Sequence, residues 1–308
     1  MGKIAFLFPG QGAQYLEMGK EIANNFARSK EIFNIANEAL GFNIEKICNE
    51  EEETLNNTEY TQPAILTATI AILEAVKENG IKADVVAGLS LGEYSALVAS
   101  GALGFEEAVR LVRKRGKYME EAVPKGEGSM AAILGLDKDI VDRICNEIVG
   151  TVMPANYNCP GQIVIAGESS AVSKACEKLS EAGAKRVIKL NVSGPFHTPM
   201  LSTAAKKLAN ELENIQIGKM KIQYITNVTA DYVNDESEIK EFLINQVVSP
   251  VKWEESIRRM IDDGVDTFIE VGPGKSLSGF MKKIDKTKKI LNVQDMKSLS
   301  KAIERVIR

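Results

Sequence analysis

Two residues of this chain have the types and settings for nucleophilic chemistry. Ser90 stands at the centre of GLSLG, residues 88–92, and His197 is the sole histidine among 308 residues. A serine hydroxyl is a weak nucleophile until a base takes its proton, and neutral imidazole is the side chain best suited to that near pH 7. A nucleophilic Ser90 would therefore depend on His197. Such a pair attacks an acyl carbon and carries the acyl group as an ester. A lone histidine more often serves structure than catalysis, and GxSxG arises by chance in long chains, so the surrounding elements must decide.

DVVAG at 84–88 reads as a strand that runs without a spacer into Ser90, and Gly92, Ser95, Ala96 and Ala99 then mark a helix able to approach closely. Strand, sharp turn bearing serine, and close-packed helix are the context of a nucleophile elbow. Upstream, KIAFLF at 3–8 reads as a buried strand. Pro9, Gly10 and Gly12 break it into a tight loop, where the two glycines are expected to supply unusual dihedrals, before an amphipathic segment at Met18, Ile22 and Phe26. The stretch from Pro63 to Val76 is apolar on nearly every face and predicts a buried helix, with Pro63 near its start and Asn79-Gly80 at its stop.

Between Gly126 and Val192 the pattern changes: strand at 129–135, helix at 138–148, strand at 151–156, strand at 162–167, helix at 170–182 and strand at 186–192. This βαββαβ order is the ferredoxin-like arrangement. It predicts a compact insertion, residues 126–192, in an α/β body made of 1–125 and 193–308. Beyond it come strands at 222–228, 266–272 and 289–293 and a helix beginning near Trp253.

With 38 basic against 42 acidic residues and a formal net charge of -4, the chain has no global attraction for nucleic acid or an anionic membrane. No stretch approaches membrane-spanning length, and the five-residue apolar run near the N-terminus is too short for a signal-peptide core. Cys48, Cys145, Cys159 and Cys176 lack CxxC spacing, which argues against a zinc site or a disulfide framework and points to a reducing cytoplasm.

Four segments together resemble the malonyl-CoA:acyl carrier protein transacylases and the acyltransferase domains of fatty-acid and polyketide synthases: FPGQG at 8–12, GLSLGEYSAL at 88–97, RKRGKYM at 113–119 and SGPFHTPM at 193–200. TQPAI at 61–65, NYNCPGQIVIAG at 156–167, NQVVSPVKW at 245–253 and EVGPG at 270–274 add to the match, which spans essentially the whole chain. The resemblance implies an α/β-hydrolase-like large domain with an inserted ferredoxin-like small domain and a site in the cleft between them. It implies transfer of malonyl from malonyl-CoA to the phosphopantetheine thiol of acyl carrier protein through malonyl-Ser90, for fatty-acid biosynthesis, without metal or cofactor; apart from the resemblance, the chain is read as cytoplasmic and as a monomer.

The same resemblance assigns roles. Ser90 is the nucleophile and His197 its base. Gln246 marks the backbone carbonyl that orients the imidazole, and the backbone N–H groups of Gln11 and Leu91 form the oxyanion hole. Arg115 takes the malonyl carboxylate, for which its planar fork is suited. Gln62, Asn156 and its neighbour Asn158 match pocket positions, and bulky Phe196 favours malonyl over methylmalonyl. The family usually carries histidine where this chain has Leu89. For the acidic carrier protein, Lys185, Arg186 and Lys189 on the insertion and Lys282, Lys283, Lys286, Lys288 and Lys289 near the C-terminus are candidate docking charges, with a solvated face as the plainer reading. The alternatives are an acyltransferase of a polyketide pathway, a serine thioesterase or hydrolase, and a noncatalytic module that keeps the fold.

Overall fold

The computed structural model describes residues 2–192 and 194–307, so Ser193, which opens the SGPFHTPM motif, lies outside the described residues with Met1 and Arg308. The described strands are β1 (Lys3–Phe8), β2 (Val85–Gly88), β3 (Gly128–Leu134), β4 (Val152–Cys159), β5 (Gln162–Glu168), β6 (Arg186–Lys189), β7 (Gln223–Ile225), β8 (Val265–Val271) and β9 (Lys289–Val293).

KIAFLF has no polar alternation because both its faces are covered. Phe6 and Phe8 pack among the residues of helix Thr58–Glu78, while Ala5 and Leu7 point the other way, towards Trp253, Ile257 and Met260. As the central strand, β1 pairs in parallel with β2 and β8, and the sheet runs β7-β2-β1-β8-β9 with every pairing parallel. The loops after β1 and β2 therefore leave the same edge, where open α/β sheets bind ligands.

The buried helix starts earlier than its apolar run suggests. It spans Thr58–Glu78, because the Asn57 side chain accepts the Glu59 N–H and caps it, and Pro63 lies inside. Proline lacks the N–H that would reach the Glu59 carbonyl, at the cost of one helical bond. The helix nevertheless continues through Pro63, with neighbouring residues buried on almost every side.

β3 to β6 form a separate antiparallel sheet in the order β4-β5-β3-β6, with helices Lys138–Glu147 and Ser169–Glu181 completing the βαββαβ run. Its own core gathers Ile133, Ile144, Ile165 and Leu179. β4 runs on to Cys159, past the expected end at 156, because Tyr157 and Cys159 still pair with Ile163 and Gln162 of β5; beside it Tyr157 donates its N–H to the Val251 carbonyl at 2.9 Å and Val251 returns one to Ala155 at 2.9 Å. β6 stops at Lys189 and β7 covers three residues, both shorter than their apolar stretches. Among the described residues no helix is long and apolar enough to cross a membrane.

Candidate active site

Backbone contact explains the glycines around Ser90. A Cβ on Gly88 would lie 1.9 Å from the Gly92 carbonyl, and one on Gly92 would lie 2.1 Å from the Phe8 carbonyl oxygen, so strand and helix meet with no room for a side chain. Between them Ser90 adopts φ 53°, a left-handed conformation rare for a residue with a Cβ. Asn227, just past β7, braces this turn from both ends: its Oδ1 accepts the Ser90 N–H at 2.7 Å and its Nδ2 donates to the Gly88 carbonyl at 2.7 Å. Gly10 answers to the same kind of constraint. Its Cβ would sit 2.4 Å from the Leu89 carbonyl oxygen, so it is there for close approach and not, as expected, for an unusual dihedral; Gly12, at φ 97°, does have one.

His197 also has a positive φ, 62°, and is buried. Its Nε2 lies 2.8 Å from Ser90 Oγ and its Nδ1 lies 2.8 Å from the Gln246 carbonyl oxygen. Because a carbonyl can only accept, the proton belongs on Nδ1, which leaves the Nε2 lone pair facing the serine hydroxyl. Burial, followed by the nearby Arg115 charge, presses the imidazole pKa down to about 4, so the ring is neutral and ready to take a proton at pH 7.

Arg115 projects from helix Phe105–Glu121 and is 1 % exposed. Nη1 donates to Gln62 Oε1 at 2.9 Å; Nη2 donates to Gln246 Oε1 at 2.8 Å and to Ser90 Oγ at 3.2 Å. The guanidinium carbon stands 5.4 Å from the centre of the Tyr94 ring. No salt bridge reaches it among the described residues, and its Nε has no hydrogen-bond partner there. A buried cation with no carboxylate paired against it is costly, and an anion brought within its reach would relieve that cost.

Under these groups lies a carboxyl that the sequence did not single out. Glu93 is fully buried in the elbow helix and accepts from Tyr224 OH and the Asn227 N–H, 3.1 Å, at Oε1 and from Gln246 Nε2 at Oε2. Burial lifts its pKa to about 7 against the pull of those donors. A lone acidic residue among the small and apolar ones of GEYSAL was the available signal for it; Tyr224 and Asn227 carried none.

The cleft over Ser90 is a cavity of about 1120 Å³. Gln11, Gln62, Leu89, Ser90, Leu91, Arg115, Asn156, Asn158, Phe196 and His197 all line it, whereas Gln246 stands behind the wall, fully buried. Among the described residues the backbone N–H groups of Gln11 and Leu91 have no hydrogen-bond partner, and Leu91 caps the N-terminus of helix Gly92–Ser100, where partial positive charge gathers. Of the basic residues considered for docking, Lys189 borders the cavity; Lys283 is turned to Gln162 Oε1 at 3.1 Å and Lys289 to the Arg305 carbonyl at 3.1 Å. Serine, neutral imidazole, free N–H donors and a buried guanidinium can together activate an alcohol, hold an oxyanion and grip an acid.

Residues 5–303 match the family model described as acyl transferase domain. The malonyl CoA-acyl carrier protein transacylase of Bacillus subtilis (strain 168) is 49% identical over 99% of this chain and 97% of its own length. The crystal structure of malonyl CoA-acyl carrier protein transacylase from Clostridium perfringens superposes with a TM-score of 0.96 at 51% identity, covering 99% of this chain and 97% of that one. A structure described as a type II PKS acyl-carrier protein in complex with its malonyl-transacylase has a TM-score of 0.96 at 42% identity, over 98% of this chain and 99% of the other.

Proposed function

The chain belongs to the acyl transferase domain family, among the malonyl CoA-acyl carrier protein transacylases, and on that premise we propose that it moves malonyl from malonyl-CoA to the phosphopantetheine thiol of an acyl carrier protein by way of a malonyl ester on Ser90. The observation that carries the reading is convergence: His197 Nε2 at 2.8 Å and Arg115 Nη2 at 3.2 Å meet on one hydroxyl, Ser90 Oγ. A malonyl thioester presents an electrophilic carbonyl carbon and, two bonds away, a carboxylate. Nucleophile and guanidinium must therefore sit side by side.

In the first half-reaction His197 Nε2 takes the hydroxyl proton while Ser90 Oγ attacks the thioester carbon. The backbone N–H groups of Gln11 and Leu91 hold the oxygen that gains negative charge, and they cost no reorganisation because no acceptor among the described residues occupies them. The Gln246 carbonyl keeps the ring oriented and supports the imidazolium that forms. Collapse of the intermediate breaks the carbon–sulfur bond, and the imidazolium returns its proton to the departing thiolate. The carrier thiol then gives its proton to His197 and attacks the ester carbon, and the imidazolium returns that proton to Ser90 Oγ as the carbon–oxygen bond breaks. Throughout, Arg115 holds the malonyl carboxylate, with Gln62 steadying the far side of the guanidinium.

The two sheets fit an α/β-hydrolase-like body, residues 1–125 and 193–308, and a ferredoxin-like insertion, residues 126–192, with Asn156 and Phe196 facing the donor across the cleft. We read the chain as a cytoplasmic monomer serving fatty-acid biosynthesis; a polyketide pathway would use the same chemistry, as the carrier complex among its structural relatives illustrates. Intact-mass analysis after brief exposure to malonyl-CoA alone tests the proposal. The expected result is a malonyl adduct that maps to Ser90 and is discharged by holo acyl carrier protein; rapid release of free malonate, with no transfer to the carrier, would mean a hydrolase.

A further inference from the structure

Gln246 makes two kinds of contact that need its side-chain amide in one orientation. Nε2 donates to the Ser90 carbonyl at 2.9 Å and to Glu93 Oε2, while Oε1 accepts from Arg115 Nη2 at 2.8 Å. Turned over, the amide would set its oxygen against a carboxylate and a carbonyl, and its NH2 against a guanidinium. Acceptor would meet acceptor and donor would meet donor. Glu93 enforces the choice most strongly, because a carboxylate only accepts and its bonds are charge-assisted. Glu93 does not line the cavity and makes no hydrogen bond to the Ser90 or His197 side chain. A fully buried carboxyl is an expensive way to fill space that an apolar residue would fill more cheaply.

We propose that Glu93 is a positioning residue for donor selectivity: it locks the Gln246 amide so that its oxygen holds the Arg115 guanidinium in place for the substrate carboxylate. The proposal rests on the reading of Arg115 as the carboxylate-binding group. It is separable from the orientation of His197, which uses the backbone carbonyl of Gln246 and not the amide. Tyr224 and the Asn227 N–H, both donating to Glu93 Oε1, anchor the carboxyl from its other side.

The test compares Ser90 acylation by malonyl-CoA and by acetyl-CoA, which has no carboxylate, in wild type, Glu93→Gln, Gln246→Met and the double variant. Work at pH 8 keeps Glu93 ionised, above the value of about 7 to which burial lifts it. Glu93→Gln should raise KM for malonyl-CoA and cut the malonyl-to-acetyl ratio of kcat/KM by about tenfold, the worth of one hydrogen bond to a charged group, while acetyl transfer changes little. Gln246→Met keeps the backbone carbonyl and should lose the same ratio, and the double variant should lose no more than either, because both changes cut one path. Should Glu93→Gln fail to fold, Gln246→Met still puts the proposal at risk, because an unchanged malonyl-to-acetyl ratio there would overturn it. Equal loss for both donors with KM and the ratio unchanged, or additive losses in the double variant, would overturn the proposal. A wild-type enzyme that forms the ester but shows no malonyl preference would instead defeat the assignment of Arg115 beneath it.

Discussion

In the parallel-sheet half of the cleft Ser90, His197, Gln246, Glu93 and Asn227 are joined in one continuous run of hydrogen bonds, whereas the antiparallel half meets them with Asn156 and Asn158 on β4, and Asn158 Oδ1 has no partner among the described residues. The contrast follows from what each side would be asked to do. Groups that stabilise a developing charge gain most when fixed beforehand, because nothing has to reorganise as the charge appears. Groups that receive a substrate arm must keep a bonding site free until the arm arrives. Arg115 belongs to both classes: its two Nη atoms are tied down on the floor, yet its Nε has no partner among the described residues.

Removing the proposed base should be the hardest blow to the floor. His197→Ala should slow Ser90 acylation by about 100- to 10000-fold, the usual worth of a positioned general base, with little change in affinity for malonyl-CoA. Rapid-quench mass analysis measures both. A rate near wild type would require a different base and would break the contrast, since no second histidine exists to take over.

Arg115→Ala should act next most strongly and selectively. Loss of charge-assisted bonds to the donor carboxylate is worth about 10- to 100-fold in kcat/KM for malonyl-CoA, while acetyl-CoA, lacking that group, should be tolerated relatively better. Competition between the two donors on one enzyme sample reads the ratio directly. An unchanged ratio would remove Arg115 from the carboxylate site and leave its buried charge without a purpose.

How far the sequence leads differs between the two halves for a related reason. The order of strands and helices is legible because it is local: apolar runs broken by glycine, proline and asparagine gave β1, the elbow and the βαββαβ stretch to within a few residues. The pairing of Ser90 with His197 is legible through scarcity, a single histidine in the chain and a serine set between a strand and a helix of small residues. The network under them is not. Glu93 joins Tyr224, Asn227 and Gln246 across 131, 134 and 153 residues of chain, and nothing in the types of a tyrosine, an asparagine or a glutamine announces such a contact. Helix boundaries failed where a side chain overruled pattern, as Asn57 did by capping a helix whose apolar run begins later. Leu89 shows the reverse. The family's usual histidine is absent there, and the leucine lines the cavity while packing beside the buried residues on the Trp253 side of the sheet, so the elbow keeps its backbone geometry without it.

The wall on the antiparallel-sheet side gives the smallest expected effect and the sharpest separation from the floor. Alternation along β4 sends Asn156 and Asn158 to the cleft and Tyr157 the other way, where its hydroxyl donates to Asp142 at 2.8 Å, so neither asparagine is held by the floor network. Asn158 is 6 % exposed with its side-chain carbonyl unpaired among the described residues, and an amide N–H on the thiol-bearing arm of the donor is the type of group that would pair with it. Asn158→Ala should then raise KM for malonyl-CoA by about three- to tenfold, one neutral hydrogen bond, and leave kcat and the malonyl-to-acetyl ratio as they were. Because the substitution also deletes a buried unpaired oxygen, thermal stability should hold or rise slightly. A fall in kcat as large as that of Arg115→Ala would mean that the wall is wired into the floor, and the division of labour between the two sheets would have to be given up.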